Sequence, residues 1–196
     1  NCNSKLARYN DWRGIPEPFV ASLFDANQRK ELHIDGFTLF ESIAINSIHE
    51  ALSKCAIEVD SPRTLFILST TKANVDELDN EQYTSPGASA RKIANYFGLK
   101  TEPVVVCNAC ISGVDAQILA LRLLNCGFYD NAIVCGVDVV TPFIVAGFLS
   151  FKSLSMTECR PFDIDRTGLN LGEAAATIIL SNSNHASGKS KWQLCS

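Results

Sequence analysis

Between Phe37 and Ala56 the apolar positions Phe40, Ile43, Ala44, Ile48, Ala51, Leu52 and Cys55 recur at steps of three and four, the spacing of one helical face. Thr38 and Glu41 stand ahead of them at capping-box distance. The run that follows, Arg63–Thr70, is almost continuously β-prone, as expected of a strand buried on both faces of a parallel sheet. A polar stretch over 71–84 leads to Ser85-Pro86-Gly87, where proline fits the first turn of a helix running from about Ala88 to Phe97 and stopping at Gly98. Then come a strand over Pro103–Cys107, a helix over Ser112–Cys126 ended by Gly127, a strand over Asn131–Val137 and a last strand over Ala174–Leu180. Residues 1–36 carry no clean period apart from a loop at Pro16–Pro18 and a polar helical turn at Gln28–Glu31; 138–172 is less regular, and Ser181–Ser196 is a polar, loose tail.

Alternating strands and helices predict an α/β/α layered sheet with crossovers of the usual hand. A length of 196 residues with 46% hydrophobic content suits one domain with a sizeable core. The net charge of −4 and the pI near 5.4 argue against a general nucleic-acid binder and leave room only for a local basic patch. There is no apolar run of about 18 residues and no signal-peptide core at Asn1–Lys5, so no membrane span, no export and a cytoplasmic protein are expected.

The eight cysteines lie mostly inside apolar strand or helix patterns and build no dense framework, which fits reduced thiols better than disulfides. Cys107 and Cys110 form a C-x-x-C. Redox chemistry and half a zinc site are its two readings; no second pair follows and no histidine lies nearby, and strand alternation turns Cys107 towards the core.

Cys110 differs from the rest because it sits between the strand ending at Cys107 and the helix starting at Ser112. Backbone N–H groups at a helix start carry partial positive charge, which favours a thiolate and offers donors to an oxyanion. The alternative is a buried structural cysteine. Strand, turn and helix in succession favour the nucleophile, and the carboxyl ends of such strands are where ligands bind. No glycine-rich phosphate loop occurs, so nucleotide binding has no support.

Three blocks, Val104–Pro142, Gly147–Ser155 and Arg160–Leu180, carry A-C-I-S-G, G-V-D after the next strand, and P-F-D-I-D-R-T-G-L-N-L-G-E in that order. Together they resemble the N-terminal half of a β-ketoacyl–acyl carrier protein synthase of the thiolase superfamily. The resemblance implies a thiolase-like fold in which each of two similar halves builds a five-stranded sheet around shared central helices, here a mainly parallel mixed sheet with one antiparallel edge strand. It makes Cys110 the acyl-accepting nucleophile of a decarboxylating Claisen condensation in fatty acid or polyketide-type synthesis, with the Cys110 N–H as half of the oxyanion hole. No cofactor is implied, since the acyl and malonyl thioesters ride on the phosphopantetheine of acyl carrier protein. A homodimer is implied as well, with Pro103–Cys107 pairing across a two-fold axis and no exposed edge left. Phe148 matches a phenylalanine of the acyl pocket; Arg29, Lys30 and Lys152 match positions that present cations to the carrier protein.

The sequence also departs from the family. The catalytic histidines and the second oxyanion donor of such enzymes belong to a C-terminal half, and His33, His49 and His185 fit neither role. The chain is therefore expected to be a fragment of a longer synthase, inactive alone, and to lack the opening β-strand, because Asn1–Asn10 has no apolar run. Ile111 stands where the family has a small residue and is expected to crowd the cysteine; Ala174 replaces a glycine, and Thr167-Gly168-Leu169 replaces Asp-Gly-Phe. Asp163, Asp165, Arg166 and Glu173 are expected to be ion-paired, turn-fixing residues rather than a metal site. Two other functions compete with the synthase: a non-catalytic partner like the chain-length factors, disfavoured by the intact Cys110, and a coenzyme A-dependent thiolase, disfavoured by the P-F-D-x-x-R block.

Overall fold

A computed structural model describes residues 5–78 and 85–182. In chain order the elements are β1 (Ala7–Tyr9), β2 (Phe19–Ser22), α1 (Ala26–Leu32), α2 (Leu39–Leu52), β3 (Thr64–Ser69), α3 (Pro86–Tyr96), β4 (Val104–Val106), α4 (Ser112–Asn125), β5 (Asn131–Asp138), α5 (Pro142–Ser150), β6 (Leu171–Gly172) and β7 (Ala174–Ser181). The caps expected from sequence are made: Thr38 Oγ1 accepts from the Glu41 N–H at 3.2 Å while Glu41 Oε2 accepts from the Thr38 N–H at 3.1 Å. Ser85 caps α3, which ends before Gly98 at φ 70°, and Gly127 at φ 72° follows α4.

The main sheet has the order β4-β3-β5-β7; β3 lies parallel to both neighbours and β7 runs antiparallel to β5. All six residues of β3 are buried. Its alternate side chains serve two cores. Phe66 and Leu68 pack with Phe40, Ile43, Ile48, Ala90 and Ile93 of α2 and α3. Leu65 and Ile67 pack with Ala116, Ala120 and Leu124 of α4 on the other face. The described residues thus form the expected α/β/α layers around a mainly parallel mixed sheet with one antiparallel edge strand, but with four strands where five were expected.

The N-terminal strands belong elsewhere. β2 pairs antiparallel with β1 and parallel with β6, forming a small sheet over Ile15, Phe19, Ala21, Val140 and Val145. The stretch expected to lack a strand therefore holds β1, which went unseen because it is short and largely exposed. α5 went unseen for the opposite reason: Phe143-Ile144-Val145-Ala146-Gly147-Phe148-Leu149 is apolar throughout and shows no period, although Thr141-Pro142 signals its start. His185 and the tail from 183 lie outside the described residues.

Gly168 closes the P-F-D loop. Its φ is 140°, and a Cβ there would lie 2.7 Å from Ser153 O and 2.8 Å from Ser155 N, where the chain bridges Leu154 to Leu169. We expect Gly168→Ala to lower the unfolding free energy by about 2 kcal/mol through backbone strain. Gly147→Ala, in a helix with no neighbour within 4 Å, should be neutral or slightly stabilising. Urea unfolding of both variants checks this, and equal effects would contradict it.

Candidate active site

Chain connections run to opposite sides of β3: through α3 to β4 on one side, then through α4 to β5 on the other. Such a reversal opens a crevice at the carboxyl ends of the strands. A cleft of about 240 Å³ lies there, lined by Ser69 of β3, Gly136–Asp138 of β5, Gly172 and Ala174 of the β6–β7 junction, and Ala109, Cys110 and Ser112.

Cys110 enters this cleft from a tight turn. After β4, Asn108 is irregular at φ −137° and ψ 57°, and Ala109 takes φ 47°, a left-handed value that costs a non-glycine residue about 1–3 kcal/mol unless its surroundings enforce it. Here they do. Ser112 Oγ accepts from the Asn108 N–H and donates to the Ala109 carbonyl, both at 2.7 Å, and Asn108 Nδ2 donates to Asp115 Oδ2 at 2.5 Å. The turn's backbone hydrogen bonds run from the Ile111 and Ser112 N–H groups, to Asn108 O and Ala109 O, and do not use the N–H of Cys110. The thiol is exposed. Ile111, expected to crowd it, does not line the cleft and is 54% exposed.

Two carboxylates brace the cleft walls, and neither was singled out by sequence as part of the site. Asp138 accepts from the Thr71 N–H and the Thr70 hydroxyl at 3.1 Å and from the Thr71 hydroxyl at 2.9 Å, with Lys72 Nζ at 3.5 Å. That fixes the loop after β3, whose Ala73 is also left-handed at φ 50°. Asn74 of the same loop accepts from Thr38 and donates to Ser89, which donates to the buried Glu41. Glu173, fully buried, accepts from Arg29 Nη2 and the Phe24 N–H at 2.6 Å and from the Val140 N–H at 3.3 Å. The expectation that Glu173 is ion-paired and turn-fixing agrees with this, and its chain neighbours Gly172 and Ala174 line the cleft.

The other candidates do not converge on Cys110. Phe148 is half-buried on α5 and does not line the cleft. Arg29 turns inward to Glu173, whereas Lys30 on α1 and Lys152 on the loop after α5 are exposed. Asp163 caps the Asp165 N–H at 2.8 Å and accepts Arg166 through its carbonyl at 2.9 Å, a self-braced turn. His33 pairs with Asp35, His49 with the Tyr96 hydroxyl, and neither lines the cleft.

The six described cysteines are all free thiols. Burial pushes the Cys135 thiol up to about 11, which keeps it protonated at neutral pH. Cys107 is not in the core as expected. β4 ends at Val106, so alternation no longer governs the next side chain; Cys107 is exposed and donates to Thr71 O at 3.1 Å. No group of three or more His, Cys, Asp or Glu among the described residues is arranged to hold a metal, and no described helix is long and apolar enough to cross a membrane.

Residues 19–186 match the family described as "Beta-ketoacyl synthase, N-terminal domain". The chain is 30% identical over 168 residues to "Probable polyketide synthase 10" of Dictyostelium discoideum, covering 83% of this chain and 7% of that protein. Its fold is similar to a beta-ketoacyl synthase from Burkholderia phymatum, with a TM-score of 0.76 at 20% identity, covering 92% of this chain and 52% of the other. It is also similar to a type II PKS acyl-carrier protein structure in complex with its ketosynthase bound to the hexaketide, with a TM-score of 0.69 at 16% identity, covering 92% and 51%. The chain thus spans about half the length of these solved chains.

Because Glu173 joins the small sheet, α1 and the cleft wall through one buried charge, removing it strands Arg29 and two backbone donors. Breaking a buried pair from one side costs about 3–5 kcal/mol. Glu173→Ala is expected to lose that much in chemical denaturation, whereas Glu50→Ala, in the exposed pair with Lys54, should leave stability almost unchanged. Similar losses for the two variants would contradict the bracing role.

Proposed function

The chain belongs to the beta-ketoacyl synthase family, and we propose that it supplies the nucleophile of a decarboxylating, carrier-protein-dependent Claisen condensation. The observation that carries this reading is the placement of Cys110: an exposed thiol on a braced turn, at the start of α4, opening into a cleft at the ends of three parallel strands.

The chemistry follows from that placement. The Cys110 sulfur attacks the carbonyl carbon of an acyl thioester, and the carrier's pantetheine thiolate leaves and takes up a proton. The Cys110 N–H, outside the turn's own hydrogen bonds, is a donor for the oxyanion of that tetrahedral species. In the second half-reaction a malonyl thioester loses carbon dioxide, and the resulting enolate carbon attacks the acyl carbonyl and expels the Cys110 thiolate. Covalent catalysis divides one difficult step into two. The enolate needs donors of its own, and neither His33 nor His49 lines the cleft to provide them.

Two surfaces extend the reading. Among the described residues β4 pairs with β3 alone in the main sheet, which leaves its other edge for the matching strand of a second subunit. Lys30 and Lys152 are exposed cations suited to an acidic carrier; Arg29, held by Glu173, is a weaker candidate. The similarity to a carrier-bound ketosynthase supports a carrier-protein partner, and the polyketide synthase relative supports polyketide-type as well as fatty acyl substrates.

Ketoacyl formation from acyl- and malonyl-carrier thioesters tests the proposal. The complete gene product should turn over, Cys110→Ala should lose at least about 10³-fold, and the 196-residue chain should fall far below the complete protein, because even one missing oxyanion donor costs about 10²–10³. Turnover by the chain within about tenfold of the complete protein, a barrier difference of only about 1.4 kcal/mol, or by Cys110→Ala at the parent rate, would contradict it.

A further inference from the structure

Four described cysteines are exposed: Cys55, Cys107, Cys110 and Cys126. Cys107 and Cys110 belong to one short turn, bracketing Asn108 and the left-handed Ala109 that reverses the chain between them. The Cys107 sulfur lies 3.1 Å from the carbonyl of Thr71, and Thr71 lines the same cleft as Cys110. The remaining exposed thiols are out of reach. Cys126 caps the far end of the 14-residue α4, about 21 Å along the helix, and Cys55 follows α2, in the layer on the opposite face of the sheet from α4.

We propose that Cys107 is a resolving cysteine for Cys110, so that the turn is a reversible dithiol–disulfide switch. An exposed thiol at a helix start with a second exposed thiol three residues before it in the same turn is the pattern of a redox-sensing cysteine and its resolving partner. The oxidant is a hydroperoxide. The Cys110 sulfur attacks the peroxide O–O bond, forming a sulfenic acid and releasing an alcohol, or water when the oxidant is hydrogen peroxide. The Cys107 sulfur then attacks the sulfenic sulfur; a disulfide forms, the sulfenic oxygen leaves as water, and the two thiol protons are accounted for in the released hydroxyl compounds. In total two thiols are oxidised and one peroxide is reduced.

Two features favour closure. Among the described residues, the Cys107 thiol gives up one hydrogen bond, to the Thr71 carbonyl, and both cysteines are exposed. A disulfide at Cys110 blocks acyl transfer while protecting the sulfur from irreversible oxidation to the sulfinic acid. That last consequence rests on the proposed function; the disulfide itself does not.

The test treats the full-length protein with excess hydrogen peroxide and maps its peptides without reduction. The peptide holding both cysteines should lose two hydrogens, and dithiothreitol should restore both thiols. In Cys107→Ser and Cys107→Ala, Cys110 should instead gain two oxygens and recover at least about tenfold less thiol. The proposal is overturned by a Cys110 sulfinic acid in the parent protein without the linked peptide, by a Cys110 disulfide to Cys126 or Cys55, by no reaction at either residue, or by equal recovery in parent and variants. A parent protein that forms the linked peptide yet never accepts an acyl group overturns the function and leaves the switch standing.

Discussion

β3 has no free surface: helices cover both faces and strands flank both edges, so the chain before and after it must be laid on alternate sides. Everything at the cleft depends on this. Strand ends that would otherwise be scattered meet around β3, and the turn from β4 into α4 is forced across them, bringing Cys110 to the point where the direction of winding reverses. The apolar residues of β3 serve two separate cores, so a cavity on either face would loosen the layer that carries the cysteine. Each large-to-small change there costs about 2–5 kcal/mol.

Around that point the structure is braced by polar groups chosen for position rather than number. Exposed pairs such as Lys54 with Glu50, one turn apart at the end of α2, join no separate segments and are screened by solvent. Asp138 and Glu173 differ: Glu173 ties backbone donors at Phe24 and Val140 to one carboxylate, and Asp138 gathers the Thr71 N–H with the Thr70 and Thr71 hydroxyls. Of the left-handed alanines, Ala109 lines the cleft and is held by the bonds of Ser112 to Asn108 and Ala109, and Ala73, in the loop after β3, donates its N–H to the Thr70 hydroxyl. Backbone strain of this kind is tolerated where the surroundings over-determine it.

How much of this the sequence disclosed follows from the range of each interaction. α2, α3 and α4 were legible because period, cap and stop lie within a few residues, and β3, β5 and β7 because their apolar runs are long. β1 and β6 are too short to show a pattern, and α5 is apolar on every side. The position of Cys110 was legible because strand, turn and helix are local. The braces were not: Glu173 finds Arg29 across 144 residues, and Asp138 finds Thr71 across 67. For the same reason Arg29 read as a free cation, and Cys107 read as core because the strand was taken one residue too far. The family resemblance, carried by motifs around Cys110 and Gly168, agrees with the match over 19–186.

The account rests on Cys110 being the atom that takes the acyl group, and the most direct measurement is to find that group. The full-length protein, incubated with an acyl thioester and no malonyl donor, is quenched in acid, digested, and mapped by mass. The account predicts the acyl mass on the peptide containing Cys110, fragmenting to the Cys110 sulfur, and its release by added malonyl thioester as a ketoacyl product. Acylation at Cys107 or Cys126 instead, or a stable acyl-protein that malonyl thioester does not discharge, would contradict it.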